Sequence, residues 1–143
     1  MNNALQQVRI LHAVFVTTWF MFVLAAKFFL QPVQTGNLPS FFPAVIGVVV
    51  VCEIGVALFL RARSIGSSEM VLRITPEDHA AMAKWRTGNL LSFAFAETIT
   101  LFGLILRVLG FEWKIAVIFF GVGLLLLLLW APRRIQSLPR GVR

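Results

Sequence analysis

Four ionisable side chains lie inside long apolar stretches of this sequence: Lys27, Glu53, Glu97 and Arg107. A charge is costly in an apolar helix, so such residues typically serve proton relays, ion paths or contacts between helices. Lys27 and Arg107 lie near the ends of their stretches, where long basic side chains reach the membrane surface. The two glutamates therefore remain as the candidates for chemistry.

Glu53 and Glu97 are predicted to lie at one depth. Glu53 lies seven residues before the end of its apolar stretch, 41–60, and Glu97 lies seven residues after the start of its stretch, 90–109. Both of these ends are predicted to lie on the cytoplasmic side, so both glutamates are roughly 10 Å inside the membrane at 1.5 Å per residue. Hydroxyl side chains accompany them at that level, so we predict a polar belt; its further members are Thr17, Thr18, Thr98 and Thr100. Three roles are open for this belt: holding the bundle together, passing a proton or ion, or contacting a partner subunit.

The helices that must position the belt are four apolar windows, 10–30, 41–60, 90–109 and 115–131. Each is near the roughly 20 residues that cross a bilayer core. An uncharged connection with two prolines and a glycine, QPVQTGNLPS, follows the first window, and a tight connection, GFEWK, follows the third. We therefore predict an all-α integral membrane protein, a single domain over 1–143, folded as a four-helix bundle of two helical hairpins.

Composition supports this class. Hydrophobic residues make up 59% of the 143 residues and charged residues only 13%, with a mean hydropathy of +0.87. So few charges cannot cover this much apolar surface in water. The lipid bilayer is the expected partner, and the net charge of +7 is assigned to membrane orientation instead of nucleic-acid binding.

The basic residues predict the orientation. Ten of the 13 fall on one side of a four-span topology, and Lys and Arg near span ends are retained in the cytoplasm. We predict a multi-pass protein of the inner (plasma) membrane with both termini and the loop 61–89 in the cytoplasm. A cleaved signal peptide is the less favoured alternative for the N-terminal window, because its apolar region is long.

The loop 61–89 is predicted to carry a short interfacial helix over about 76–87. Thr75 would cap it, Pro76 would occupy its first turn, and Gly88 would end it. Met82 and Trp85 are expected to lie against lipid headgroups. A simple solvated connector is the alternative.

Small residues at helical spacing predict where the helices approach each other, since they allow close contact in membranes. The predicted contact positions are Gly47, Gly55, Ala96, Gly103, Gly121 and Gly123.

We expect no cofactor and no metal site. A bis-histidine haem needs two imidazoles that face one pocket, whereas His12 lies near the cytoplasmic end of the first window and His79 lies in the loop. The single cysteine, Cys52, lies in an apolar run without an adjacent base. Glu77, Asp78 and His79 are adjacent at a helix start and so point in different directions, which disfavours an enzyme acting on lipid.

One segment resembles a known family. Residues 97–104, ETITLFGL, place an aromatic five and a glycine six positions after Glu97; this is similar to the carboxylate helix of rotary ATP synthase c subunits. The resemblance implies that Glu97 is a reversible proton carrier. It does not imply a ring, because the first two windows carry bulky residues instead of a glycine repeat. As a whole, the chain resembles small, uncharacterised four-span bacterial integral membrane proteins, which implies no known activity.

The sequence thus favours a non-enzymatic subunit or accessory protein of a membrane assembly, with a membrane protein partner or a homo-oligomer. The alternative is a proton or cation translocating element in which Glu97 and Glu53 exchange a proton.

Overall fold

A computed structural model describes residues 2–30 and 39–132, and this part of the chain is almost entirely helical. Helix α1 is Asn2–Leu24 and continues into a π-helical turn, Ala25–Phe29. Helix α2, Phe42–Arg61, leads through a second π-helical turn, Ala62–Gly66, into α3, Ser67–Ile74. Helices α4, His79–Val108, and α5, Trp113–Leu129, complete the fold.

Three of these helical segments are long and apolar enough to cross a membrane, namely 3–28, 42–74 and 79–108. Helix α5 is apolar but has only 17 residues. The residues that the structure describes are therefore all-α and form four continuous helical segments, as the sequence predicts.

Helix α4 is the central element. It packs against α1, α2, α3 and α5, and α1 also packs against α5. The core follows one side of α4, through Phe93, Ala96, Ile99, Gly103 and Leu106, all fully buried or nearly so. The other helices therefore take their positions from α4.

Only one of the two expected hairpins forms among the described residues. Helices α4 and α5 are joined through Gly110, whose φ of 86° suits glycine. Helix α2 instead packs along α4, with little or no contact to α1. Contacts with α4 bury Val50 and Ala57 of α2. Helix α2 therefore packs against α4, which is distant in sequence, instead of against α1, which precedes it in the chain.

The expected loop 61–89 is largely helical. Helix α3 extends the second span to Ile74, and α4 starts at His79, so only Thr75–Asp78 connect them. The separate helix over about 76–87 is not present, because α4 runs on through Gly88. Gly88 lies against Ile65 and Ser64, where a Cβ would be 2.8 Å from the Ile65 side chain, so this glycine permits close helix contact instead of ending a helix.

Two details of that region also differ from expectation. Asp78, not Thr75, caps α4, accepting a hydrogen bond from the Ala81 amide at 2.8 Å. Trp85 is only 2% exposed and donates to Glu69 at 3.4 Å, because α3 covers it where headgroups were expected.

Candidate functional site

The relative height of the two glutamates follows from the antiparallel contact of α2 and α4. The Arg61 guanidinium donates to the Ser92 hydroxyl at 3.2 Å, which places these two residues close to one level. Glu53 lies eight residues from Arg61 and Glu97 five residues from Ser92. At 1.5 Å per residue, the two carboxylates are within about 5 Å of each other in height.

The glutamates nevertheless lie on different sides of α4. Ser92 faces α2 through Arg61, and Glu97, five residues later, is rotated from it by about 140°. Glu97 lies instead one turn after Phe93, whose ring faces His12 of α1 at 5.1 Å. Glu97 thus lies at the boundary between α4 and α1.

Glu53 lies at the boundary between α4 and α2. It sits one turn from each of Val50 and Ala57, the two buried residues of α2. Leu60 and Ala57 on its side of α2 line a small gap against Leu91 and Phe95 of α4. The body of α4 therefore separates Glu53 from Glu97, and no hydrogen bond between them is present in the described part of the chain.

The four threonines of the expected belt bond to their own helices. Each hydroxyl donates to the carbonyl oxygen four residues earlier, at 2.9 to 3.1 Å. These residues are Thr17, Thr18, Thr98 and Thr100. Such bonds satisfy the hydroxyl donor within the helix, so these hydroxyls do not donate to the glutamates.

Each glutamate has one oxygen that is shielded from solvent and has no hydrogen-bond partner among the described residues: Oε2 of Glu53 and Oε1 of Glu97. Both side chains are partly buried. A shielded polar atom without a partner costs free energy, so the fold of the described residues leaves these two oxygens unsatisfied. The other oxygen of each carboxyl is not shielded in this way and is the one that an outside group can reach.

Between the two glutamates lies an uncovered face of α4. We define it by Ala94, Thr98, Leu101 and Ile105, which follow helical spacing; Thr98 is partly buried and the other three are exposed. The rotation of Glu97 toward α1 and the position of Glu53 beside α2 place one carboxylate at each margin of this face. The uncovered face is thus an apolar strip flanked by two carboxylates at one height.

The glycine positions divide into two groups. Gly103 and Gly123 lie between α4 and α5, where a Cβ at Gly103 would be 3.0 Å from the Ala116 carbonyl oxygen; Ala96, also fully buried, belongs to the same contact. Gly47, Gly55 and Gly121 have open space around them in the described structure. The expectation of close helix contact at these last three differs from the structure. On α2 the buried residues are Val50 and Ala57 instead of Gly47 and Gly55, and on α5 the buried side contains Phe120 and Gly123 but not Gly121.

The two basic residues at span ends differ in their surroundings. Lys27 is exposed, with its ammonium 5.2 Å from the centre of the Phe28 ring. Arg107 contacts the Phe111 carbonyl oxygen at 3.5 Å, and its Nε has no partner among the described residues.

Two polar residues, His12 and Trp19, make contacts that the sequence does not predict. His12 Nε2 is 2.9 Å from the carbonyl oxygen of Leu127, and Trp19 donates its indole N–H to the Phe120 carbonyl oxygen at 2.9 Å. Both bonds tie α1 to α5. Their seven-residue spacing places His12 and Trp19 on one face of a helix, and this spacing could have predicted that both contact the same neighbouring helix.

The described residues contain no cluster of side chains able to hold a metal ion. Cys52 is exposed on α2. The candidate site consists of carboxyl groups and apolar surface.

Fold and site together define an all-helical protein with three helices apolar enough to span a membrane. Comparisons with protein-family models, curated proteins and solved structures find no match to this chain.

Proposed function

We propose that this chain is a multi-pass protein of the inner membrane, with both termini and the α3–α4 connection in the cytoplasm. Large apolar side chains on the outside of the helices support this placement, for example Val51 of α2, which is 69% exposed, and Phe59, which is 63% exposed. Lipid is the solvent that tolerates such a surface. The basic residues cluster on the proposed cytoplasmic side.

Within that membrane, we propose that the protein is a non-enzymatic subunit or accessory protein that binds a transmembrane helix of a partner protein. The partner helix lies on the uncovered face of α4. The observation that carries this proposal is the pair of carboxyl groups of Glu53 and Glu97 at the two margins of that face, neither of which has a hydrogen-bond partner among the described residues.

The chemistry of the partner follows from these two carboxyl groups. Carboxyl oxygens accept hydrogen bonds, so the partner helix carries donors such as hydroxyl, amide or basic side chains at that height. Its remaining surface is apolar and matches Leu101 and Ile105. In lipid, hydrogen bonds between helices and close van der Waals contact drive such association.

Site-specific cross-linking tests the proposal in native membranes. The only native cysteine is replaced by serine at Cys52, and one cysteine is then introduced at Ala94 on the uncovered face. We expect a cross-linked adduct from Ala94→Cys. The matched control is Val117→Cys, an exposed position on α5, which should give none.

The mass of the adduct identifies the partner. A heterologous adduct supports the subunit role, and an adduct of twice the chain mass assigns the face to a second copy. Equal yields from both positions, or a lone monodisperse protein after extraction in mild detergent, would contradict the proposal.

The alternative function, proton exchange between Glu97 and Glu53, has less support. The two side chains lie on different sides of α4, and the intervening threonine hydroxyls donate to backbone carbonyls.

A further inference from the structure

A polar cavity lies between the N-terminal ends of α1 and α4. It has a volume of about 500 Å³ and is open on one side. Its polar lining comes from Asn3 and Gln7 on α1, Glu77 and Asp78 before α4, and His79 and Arg86 on α4. This size lies within the range of small-molecule sites.

The position of the cavity places it at the cytoplasmic membrane surface. Gln7 and Arg86 lie three and four residues before the apolar windows that start at 10 and 90. At 1.5 Å per residue they are about 5 Å below the apolar zone, within the headgroup layer. The cavity is thus at headgroup depth in the membrane placement proposed above, on which this inference rests.

The two helix faces that line the cavity continue toward the apolar windows, and we call the surface between them the groove between α1 and α4. Residues His79, Met82 and Arg86 share the side of α4 that faces α1. Above them, Leu90 of α4 and Leu11 of α1 are exposed apolar side chains, 43% and 39% respectively. A ligand with its polar end in the cavity can therefore lay an acyl chain against these residues.

The charges of the lining are mixed. Arg86 makes no hydrogen bond or ion pair with any described residue, so its guanidinium can bind a phosphate. The carboxylates of Glu77 and Asp78 lie in the same lining, and each has several acceptor sites for an ammonium group. One cation and two carboxylates around one cavity match a ligand that carries both a phosphate and an amine.

We propose that this cavity binds the phosphoethanolamine headgroup of a phospholipid, with the phosphate on Arg86 and the ammonium on Glu77 and Asp78. The acyl chain lies in the groove between α1 and α4. Choline lipids lack the ammonium N–H donors, and phosphatidylglycerol lacks the cation, so both bind more weakly.

Native mass spectrometry of the purified protein with short-chain phospholipids tests this site. We expect saturable binding of the ethanolamine lipid, at least tenfold tighter than of the choline and glycerol lipids. Arg86→Gln is expected to weaken it tenfold or more. The double variant Glu77→Gln, Asp78→Asn keeps the helix cap, because asparagine caps as well as aspartate, and should remove the preference for ethanolamine.

Arg73→Gln, an exposed residue of α3 outside the cavity, is the matched control and should bind like the wild type. Equal binding of all three lipids, or binding unaffected by Arg86→Gln, would overturn the proposal. Saturable binding of free phosphoethanolamine with equal affinity would assign the site to a soluble ligand and overturn the lipid assignment. Alkaline extraction of membranes reports separately on membrane placement, so its failure is distinguishable from failure of this site.

Discussion

Gly123 of α5 lies so close to Thr100 of α4 that a Cβ atom at position 123 would overlap the threonine hydroxyl. The Ala96 carbonyl oxygen would also be only 2.9 Å from that Cβ. Thr100 and Ala96 are fully buried, so neither can move into open space. The contact between α4 and α5 thus requires glycine at this position.

Gly123→Ala is therefore expected to lower the free energy of unfolding by about 1–3 kcal/mol, the usual cost of overfilling a close contact. Reversible unfolding in detergent micelles measures it. Gly121→Ala on the same helix is the control, since its Cβ would meet open space. Equal effects of the two substitutions would show that α4 and α5 do not meet at Gly123.

Trp19→Phe removes the donor that links α1 to the Phe120 carbonyl while keeping an aromatic ring. We expect a loss of about 1 kcal/mol in unfolding free energy, a typical value for one such bond between membrane helices. Trp113→Phe is the control, because no hydrogen bond of its indole N–H is present in the described structure. An unchanged stability of Trp19→Phe would mean that the ring alone holds α1 in place.

Gly110→Ala is expected to destabilise the protein by roughly 1 kcal/mol, because an L residue is strained at a positive φ. The φ of Gly110 is 86°. Gly55→Ala serves as the opposite case, since alanine favours a helix by up to about 1 kcal/mol and this position has free space. Chemical or thermal unfolding of both variants distinguishes turn strain from a general sensitivity to larger side chains.

Glu97→Leu and Glu53→Leu are expected to separate stability from assembly. Each removes a shielded oxygen without a partner, so the isolated protein should become more stable, by about 1 kcal/mol or more. Co-purification of the proposed partner should fall at the same time. Thr17→Val, an exposed substitution on α1, should leave co-purification unchanged, and retention of the partner by both glutamate variants would contradict the role of these residues.

Wild-type protein in liposomes with a pH gradient is expected to show no proton flux. The separation of Glu53 from Glu97 by α4 leaves no direct exchange between them. A flux that Glu97→Gln abolishes would favour the proton relay over the subunit role. Empty liposomes and the Glu97→Gln variant are the controls.

The helices and their approximate limits are predictable from the sequence, because the length of an apolar stretch can be read from neighbouring residues alone. The sequence did not predict that α2 continues through Gly66 into α3, or that α4 continues through Gly88. Glycines and charges there are typical of a loop, yet α3 and the turn before it pack against α4. Ile65 lies against Gly88, and Leu72 and Trp85 are buried, so the region is helical. Long-range burial outweighed local preference.

The candidate site shows the same division. Counting residues at 1.5 Å each places Glu53 and Glu97 at one height without any knowledge of their neighbours. The side of α4 on which each carboxylate lies depends on which helix covers α4 there. That was decided only when α2 packed on α4 instead of on α1. The depth of a residue depends on its position along one helix, so the sequence by itself determines it. The side of α4 on which a glutamate lies depends on how two helices pack together, so only the tertiary structure decides it.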